Sequence, residues 1–349
     1  MPKLLSRSFY GLVVLVLVTT IVSSIIYLTP VDPTRLTFGQ RMDETSVALK
    51  REQYGLDLPL HRQVWRYLGD ISPLVIMPET SWRKAYVGAS TRLGDFRLGI
   101  KFPYLRESYQ NGRPVSRILS EALPNTLYLS MIAIGLATVI GILLGITSSL
   151  LSGTWWDRLI VLLSTVGYSV PSYVMAIVLA VVFGYYLRDL TGLSIQGSLF
   201  ELNDLGEDIV VLRNLILPAV ALGIRPISII TQLTRSSMLQ VMSEKYVVAA
   251  RAKGLSRTQL IRDHLLKNAL NPVITALSGW FASLLAGAFF VEFIFNFKGL
   301  GFVTVTALLN YDIPVILGAL LVTCSLFIIV NIVVDLLYVY LDPRVELST

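Results

Sequence analysis

Residues 249–272 read AARAKGLSRTQLIRDHLLKNALNP and hold five basic side chains, Arg251, Lys253, Arg257, Arg262 and Lys267, against one acid, Asp263. Such a patch binds anions or an acidic partner; it does not break bonds, because protonated Lys and Arg offer donors and no basic lone pair. The remaining groups with chemical capacity are isolated: Arg225, Glu292, Asp335, and Asn331 one helical turn before Asp335. His61 and His264 are far apart and Cys324 is the single cysteine, so no cluster has metal-ligand spacing. Cys324 sits in an apolar run, where a free thiol acts as a small hydrophobe. No G-x-x-x-x-G-K-[ST] phosphate loop is present. These residues predict no catalytic group, no metal and no cofactor held by this chain. Any energy source is a partner or an ion gradient.

The elements that must position these groups are greasy. Of 349 residues, 54% are hydrophobic and 15% charged, with mean hydropathy +0.66. A soluble domain is about 25% charged, so the chain falls in the membrane class. A spanning helix needs roughly 20 apolar residues to cover about 30 Å of hydrocarbon. Six stretches qualify: Phe9–Thr29, about 125–151, the run between Arg158 and Arg188, about 215–233, about 272–291 and about 314–341. The fourth is interrupted by Pro218, Arg225 and Pro226, and the sixth contains Asn331 and Asp335. The first follows Lys3 and Arg7, is too long for a signal-peptide core and lacks an A-x-A site, so it reads as a retained anchor.

Lys and Arg in short loops set orientation. The connection 234–271 holds Arg235, Lys245, Arg251, Lys253, Arg257, Arg262 and Lys267, which assigns it to the cytoplasm. Six spans then place both termini there too. Segment 30–120 is external despite fourteen basic residues, since long segments translocate largely regardless of charge. It reads as a small cap. The organisation is thus an N-terminus (1–8), a first span (9–29), the external segment (30–120), a five-helix core (121–341) and a C-terminus (342–349). Basic residues split among loops on both sides exclude nucleic-acid binding.

Within the cytoplasmic connection, residues 236–253 contain good helix formers and no Pro or Gly. Gly254 stands where a helix end favours positive φ. Ser256 with Gln259 is a capping-box pattern that starts a second helix. Ile261, Leu265, Leu266 and Ala269 share one face of it, and Asn271-Pro272 ends it. One reading of this helix–glycine–helix is a basic surface binding anionic lipid headgroups. The other is a docking knob for a partner protein, favoured by Ala249, Ala250, Ala252 and Gly254, which permit close backbone approach.

Ala249-Ala250-x-x-x-Gly254 resembles the signature loop of bacterial ABC-importer permeases, in the branch that carries dipeptides, oligopeptides and nickel. Further blocks match that branch in order: DPTRL (32–36), YGLDLPLHRQVWRYLGD (54–70), GDFRLG (94–99), GRPVSRILSEALPNTLYLS (112–130), SVPSY (169–173), LTRSSML (233–239), VEFIFNFKGLG (291–301) and LLYVYLDPR (336–344). Two positions depart from the pattern. Val248 replaces the glutamate of the loop signature, and Lys298 replaces a proline before Gly-Leu-Gly.

The resemblance implies an all-α integral membrane protein of the type I ABC-importer permease kind. It would have six transmembrane helices and an external insertion after the first. It further implies a multi-pass protein of the bacterial inner membrane, working with a second related permease, two ATPase subunits that bind ATP and Mg, and an external solute-binding protein. Ala249, Ala250, Arg251, Lys253, Gly254, Leu255 and Ser256 would form the ATPase-coupling loop. Peptides are the implied solute; nickel or another small solute is the alternative. An ion-coupled secondary transporter is the rival outside the family, but no inverted repeat or midplane acid pair supports it. A membrane-embedded enzyme is a further rival, and no histidine lies in a span.

Charges inside spans cost at least about 2.5–3.5 kcal/mol near a helix centre, so each needs a partner or water. For Arg225 the readings are a cavity-facing group that attracts a peptide carboxylate, a structural ion pair, or a position in a broken helix near an interface. Glu292 either hydrogen-bonds the following turn or gates the outer end. Asn331 and Asp335 face one side as an i, i+4 pair and meet neighbouring helices. Gly279, Ser283 and Gly287, spaced by four, mark a face for close packing.

Overall fold

The computed structural model describes residues 2–28, 44–78, 87–93, 96–202 and 206–341. The expected C-terminal segment 342–349 and parts of the expected external segment, among them 30–43 and 79–86, lie outside the described residues. The chain is mostly helical and divides into two compact units. One is Met1–Ala122 with Val303–Ser325; the other is Leu123–Phe302 with Leu326–Thr349.

The first unit contains α1 (Pro2–Leu28), α2 (Glu44–Tyr54) and α3 (Leu60–Ile71). Val64, Tyr67 and Ile71 are buried on α3, the three-and-four spacing of one helix face. A three-stranded antiparallel sheet follows, β1 (Leu74–Pro78), β2 (Val87–Leu93) and β3 (Phe96–Lys101), in the order β1-β3-β2. Its register pairs Leu74 with Ile100 and Leu93 with Phe96. Arg106 ties this unit together. It donates through Nε and Nη2 to Asp70 at 2.8 Å, through Nη1 to the Tyr27 hydroxyl at 3.2 Å, and lies over the Tyr67 ring. Asp312 accepts from the Ser108 hydroxyl and from the Tyr109 amide.

The second unit runs from within α4 (Val115–Leu150) through α5 (Trp155–Ser169) to α6 (Ser172–Leu179), which continues as a π-helix over Ala180–Tyr186. A two-stranded sheet, β4 (Phe200–Leu202) and β5 (Asp208–Val210), precedes α7 (Ile216–Met242). Then come α8 (Lys245–Ala252) and α9 (Arg257–Leu260), the latter extended by a π-turn at Ile261–Leu265 into Leu266–Ala269. The series continues with α10 (Asn271–Gly287) and α11 (Phe289–Ile294); α12 (Leu300–Leu309) and α13 (Ile313–Leu341) follow, their stretch Val303–Ser325 belonging to the first unit. The two small sheets amend the all-α expectation.

Among the described residues, four helical stretches are long and apolar enough to cross a membrane: Phe9–Leu28, Val115–Leu150, Leu212–Met242 and Ile313–Val334. The third expected stretch is not one straight helix. It breaks between α5 and α6 with a bend of 107°. Pro171 explains the break, because proline drives the preceding residue to extended backbone; Val170 has φ −79° and ψ 129°. Counted as one span, the bent pair makes five. The fifth expected stretch is shorter than anticipated and is divided at Ala288 into α10 and α11. The fourth is longer: α7 runs unbroken through Pro226 to Met242.

Small residues let α7 sit close to its neighbours. A Cβ at Gly141 would meet the Ile230 side chain at 2.7 Å, one at Gly145 would meet Thr234 at 2.5 Å, and one at Gly167 would meet Ser228 at 2.6 Å. The expected Gly279–Ser283 face makes no such contact within the unit. Both residues are exposed and nothing lies within 4 Å of a Cβ at Gly279. The surroundings of Gly287 lie outside the described residues.

Candidate functional site

The basic connection folds as helix, glycine, helix, with one amendment. The run 236–253 is not a single helix. It breaks at Ser243–Glu244, where the amides of both residues bond three residues back and Glu244 turns extended. Gly254 has φ +82° and no atom within 4 Å of a would-be Cβ, so backbone conformation and not space calls for glycine. The capping box forms as expected. The Ser256 amide donates to Gln259 Oε1 at 3.1 Å, and the Gln259 amide donates to Ser256 Oγ at 3.3 Å.

The two loop helices share one apolar cluster with the end of α7: Met238, Val247, Ala250, Leu260, Leu265 and Ala269. Ile146 of α4, Leu255, Ile261 and Leu266 pack around it. Ala250 therefore faces inward and helps hold the loop on the spans. This corrects its expected place beside Ala249 on a docking face. Ala249, Arg251, Ala252, Lys253, Gly254 and Ser256 are exposed, and so is Val248, at 59%. The Asn268 amide donates to the Tyr246 hydroxyl at 2.9 Å, joining the two helices at their polar edge. Arg262 makes a two-pronged contact with Asp263 at 2.7 and 3.1 Å, and that hydrogen-bonded partner holds the Asp263 carboxyl below its ordinary range. The positive charge of the loop is thereby left chiefly at Lys245, Arg251, Lys253 and Lys267, which are exposed. The side chain of Arg257 lies outside the described residues.

Arg235 was expected to be one more loop cation. Instead its Nε and Nη2 grip buried Asp157 at 2.7 and 2.9 Å. Asp157 also accepts from the Ser148 hydroxyl and from the Gly153 amide. This network pins the α4–α5 turn to the end of α7, directly behind the loop. Sequence reasoning missed it because the partners are 78 positions apart. The available signal was an isolated acid at the same membrane face as an isolated arginine.

Among the described residues the expected intramembrane charges do not come together. Arg225 lies midway along its span, 13 residues after Leu212 and 17 before Met242. Its guanidinium sits over the rings of Tyr168 at 5.4 Å and Trp280 at 5.9 Å. Nε is buried without a hydrogen-bond partner, and among the described residues no carboxylate is paired with it. The structural ion pair is therefore replaced by an aromatic clamp. Asn331 donates to the Phe327 carbonyl at 2.8 Å within its own helix; the side chain of Asp335 lies outside the described residues. Glu292 is fully buried and bonds the turn that follows it. It accepts from Thr126 Oγ1 at 2.7 Å, the Gly301 amide at 2.7 Å and the Phe302 amide at 3.1 Å. The carboxylate thus caps the start of α12, where free amides favour an anion. Gly299 leaves room for it, because a Cβ there would meet Glu292 and Thr126 within 2.5 Å.

Residues 116–347 match the family described as binding-protein-dependent transport system inner membrane component, and residues 1–130 match the N-terminal family of the same systems. A glutathione transport system permease protein of Salmonella paratyphi A is 33% identical, over 95% of this chain and 94% of its own. A probable D,D-dipeptide transport system permease protein of Escherichia coli is 33% identical, over 98% and 97%. A di/tripeptide transport system permease protein of Pseudomonas aeruginosa is 32% identical, over 98% and 96%. A chain of the inward-facing MetNI methionine ABC transporter superposes with a TM-score of 0.53 at 16% identity, over 65% of this chain and 97% of that one; this likeness concerns the fold.

Proposed function

We propose, for a chain that belongs to the family of binding-protein-dependent transport system inner membrane components, that it forms one half of the membrane pathway for di- and oligopeptides in an ATP-driven importer. It works beside a second, related permease. Two ATPase subunits, which bind ATP and Mg, dock on the cytoplasmic loop, and an external binding protein delivers the solute. The protein is multi-pass in the bacterial inner membrane with both termini cytoplasmic. On this reading the spans number six: α1, α4, the bent α5–α6 pair, α7, α10 with α11, and α13. None of its residues is catalytic.

The observation that carries the proposal is the two-sidedness of the loop. Val247, Ala250, Leu260, Leu265 and Ala269 fasten it to the spans, while Ala249, Ala252 and Gly254 present small surfaces outward beside Arg251 and Lys253. A lipid-binding helix has no use for small residues on its charged side, whereas a knob entering a groove does. Relatives named for peptide and glutathione transport support the solute class.

The test is Ala249→Glu in the complete importer. The variant should insert normally and lose ATPase co-purification, with uptake falling at least about tenfold, since a charge buried without a partner in an interface is costly. Normal co-purification and uptake would sink the docking assignment. The solute retained by the co-expressed binding protein should be a peptide; retained nickel would move the chain to the other branch.

A further inference from the structure

Arg225 is a permanent cation halfway through a span, held between two aromatic rings and left with an unpartnered Nε. We propose that it is the solute-recognition group of this half of the pathway and that the group it recognises is a carboxylate, the free C-terminus of a peptide in transit. The inference rests on the reading of the chain as a peptide permease and names a site within it.

An ionisable side chain at this depth needs a compensating group. The other buried charges of the second unit have theirs: Asp157 has Arg235, and Glu292 has three donors. Among the described residues Arg225 has π faces only. Rings stabilise a guanidinium but do not use its N–H donors, so the fork remains available in its plane. The clamp also fixes the fork before any ligand arrives, which lowers the ordering cost of a two-pronged contact to a carboxylate. Arg225 and Trp280 are half-buried. Tyr168 is 42% exposed, and Gly279, next to Trp280, has nothing within 4 Å of a would-be Cβ.

A carboxylate on the second permease is the competing partner for this cation, and the experiment separates the two. The complete importer, with its second permease, ATPases and binding protein, is assayed for uptake of radiolabelled trialanine and of its C-terminal amide. Arg225→Gln is expected to lower trialanine uptake roughly tenfold or more, because a site built for a polar group rejects ligands lacking it steeply. Uptake of the amide should be unchanged. Comparing each peptide in variant and parent cancels any preference of the binding protein. Arg225→Lys should keep part of the preference, having the charge without the fork. Equal loss for both peptides assigns the cation to the second permease or to packing and overturns the proposal, as does no loss for either. If the parent importer takes up neither peptide, the peptide reading itself fails and takes the proposal with it. Should Arg225→Gln not accumulate in the membrane, Tyr168→Leu decides: a several-fold fall in preference for the free acid is expected, and an unchanged preference overturns the assignment.

Discussion

Arg225 and Arg235 stand ten positions apart on the same helix, α7, and have opposite surroundings. Arg235 is saturated: both prongs hold Asp157, which is itself satisfied by Ser148 and Gly153. Arg225 has no carboxylate among the described residues and leans on Tyr168 and Trp280. Two identical side chains thus divide two jobs. The saturated one fastens spans together where the basic loop is rooted. The unsaturated one, on the proposed reading, keeps its hydrogen-bonding capacity for a solute that comes and goes. Satisfaction separates scaffold from site here; charge alone does not.

This contrast can be broken most forcefully at Arg235. Arg235→Ala leaves the buried Asp157 carboxylate without its cation and should cost about 3–5 kcal/mol, read as a large drop in the thermal unfolding temperature of the detergent-purified complex. Asp157→Asn in the same chain should return much of it, and failure of that rescue would mean the pair is not the cause. A smaller effect is expected in the loop that the pair supports. Ser256→Ala removes the cap of α9 and should cost about 1 kcal/mol, seen as faster amide hydrogen exchange over residues 256–269 and unchanged exchange in α7. Protection that stays the same would show that the apolar cluster alone sets the loop. The smallest effect on stability belongs to Arg225. Arg225→Met removes a mid-span charge costing about 2.5–3.5 kcal/mol to insert while giving up cation–π contacts of about 2 kcal/mol. The unfolding temperature should therefore hold or rise slightly. A fall comparable to that of Arg235→Ala would erase the distinction between the two arginines.

The spans were largely legible because hydropathy is a local property: α1, α4, α7 and α13 follow from run length. Gly254 and the Ser256–Gln259 box were legible for the same reason, since turn chemistry is written in adjacent residues. What escaped was relational. Asp157 carries no expected role in the sequence and Arg235 is one cation among seven, yet folding places them 2.7 Å apart. Ala249 and Ala250 are indistinguishable by type, yet one faces out and the other enters the cluster with Met238. The bend at Pro171 did have a local signal, the Val-Pro step within SVPSY, which a search for continuous apolar length passes over. The break before α8 had none of the usual breakers, because Ser243 and Glu244 are tolerated in helices.

That break has a mechanical consequence. Had α7 and α8 formed one rod, a twist applied at the loop would travel along the hydrogen-bonded backbone into the span. At Ser243–Glu244 the rod is cut, and α8 is joined to α7 by a hinge plus a greasy bearing surface at Met238, Val247 and Ala250. A bearing carries thrust well and torque poorly. If an ATPase docks on this loop as proposed, load arriving there reaches α7 as a push or pull at the end that carries Met238, and the Asp157–Arg235 clasp couples α5 to it.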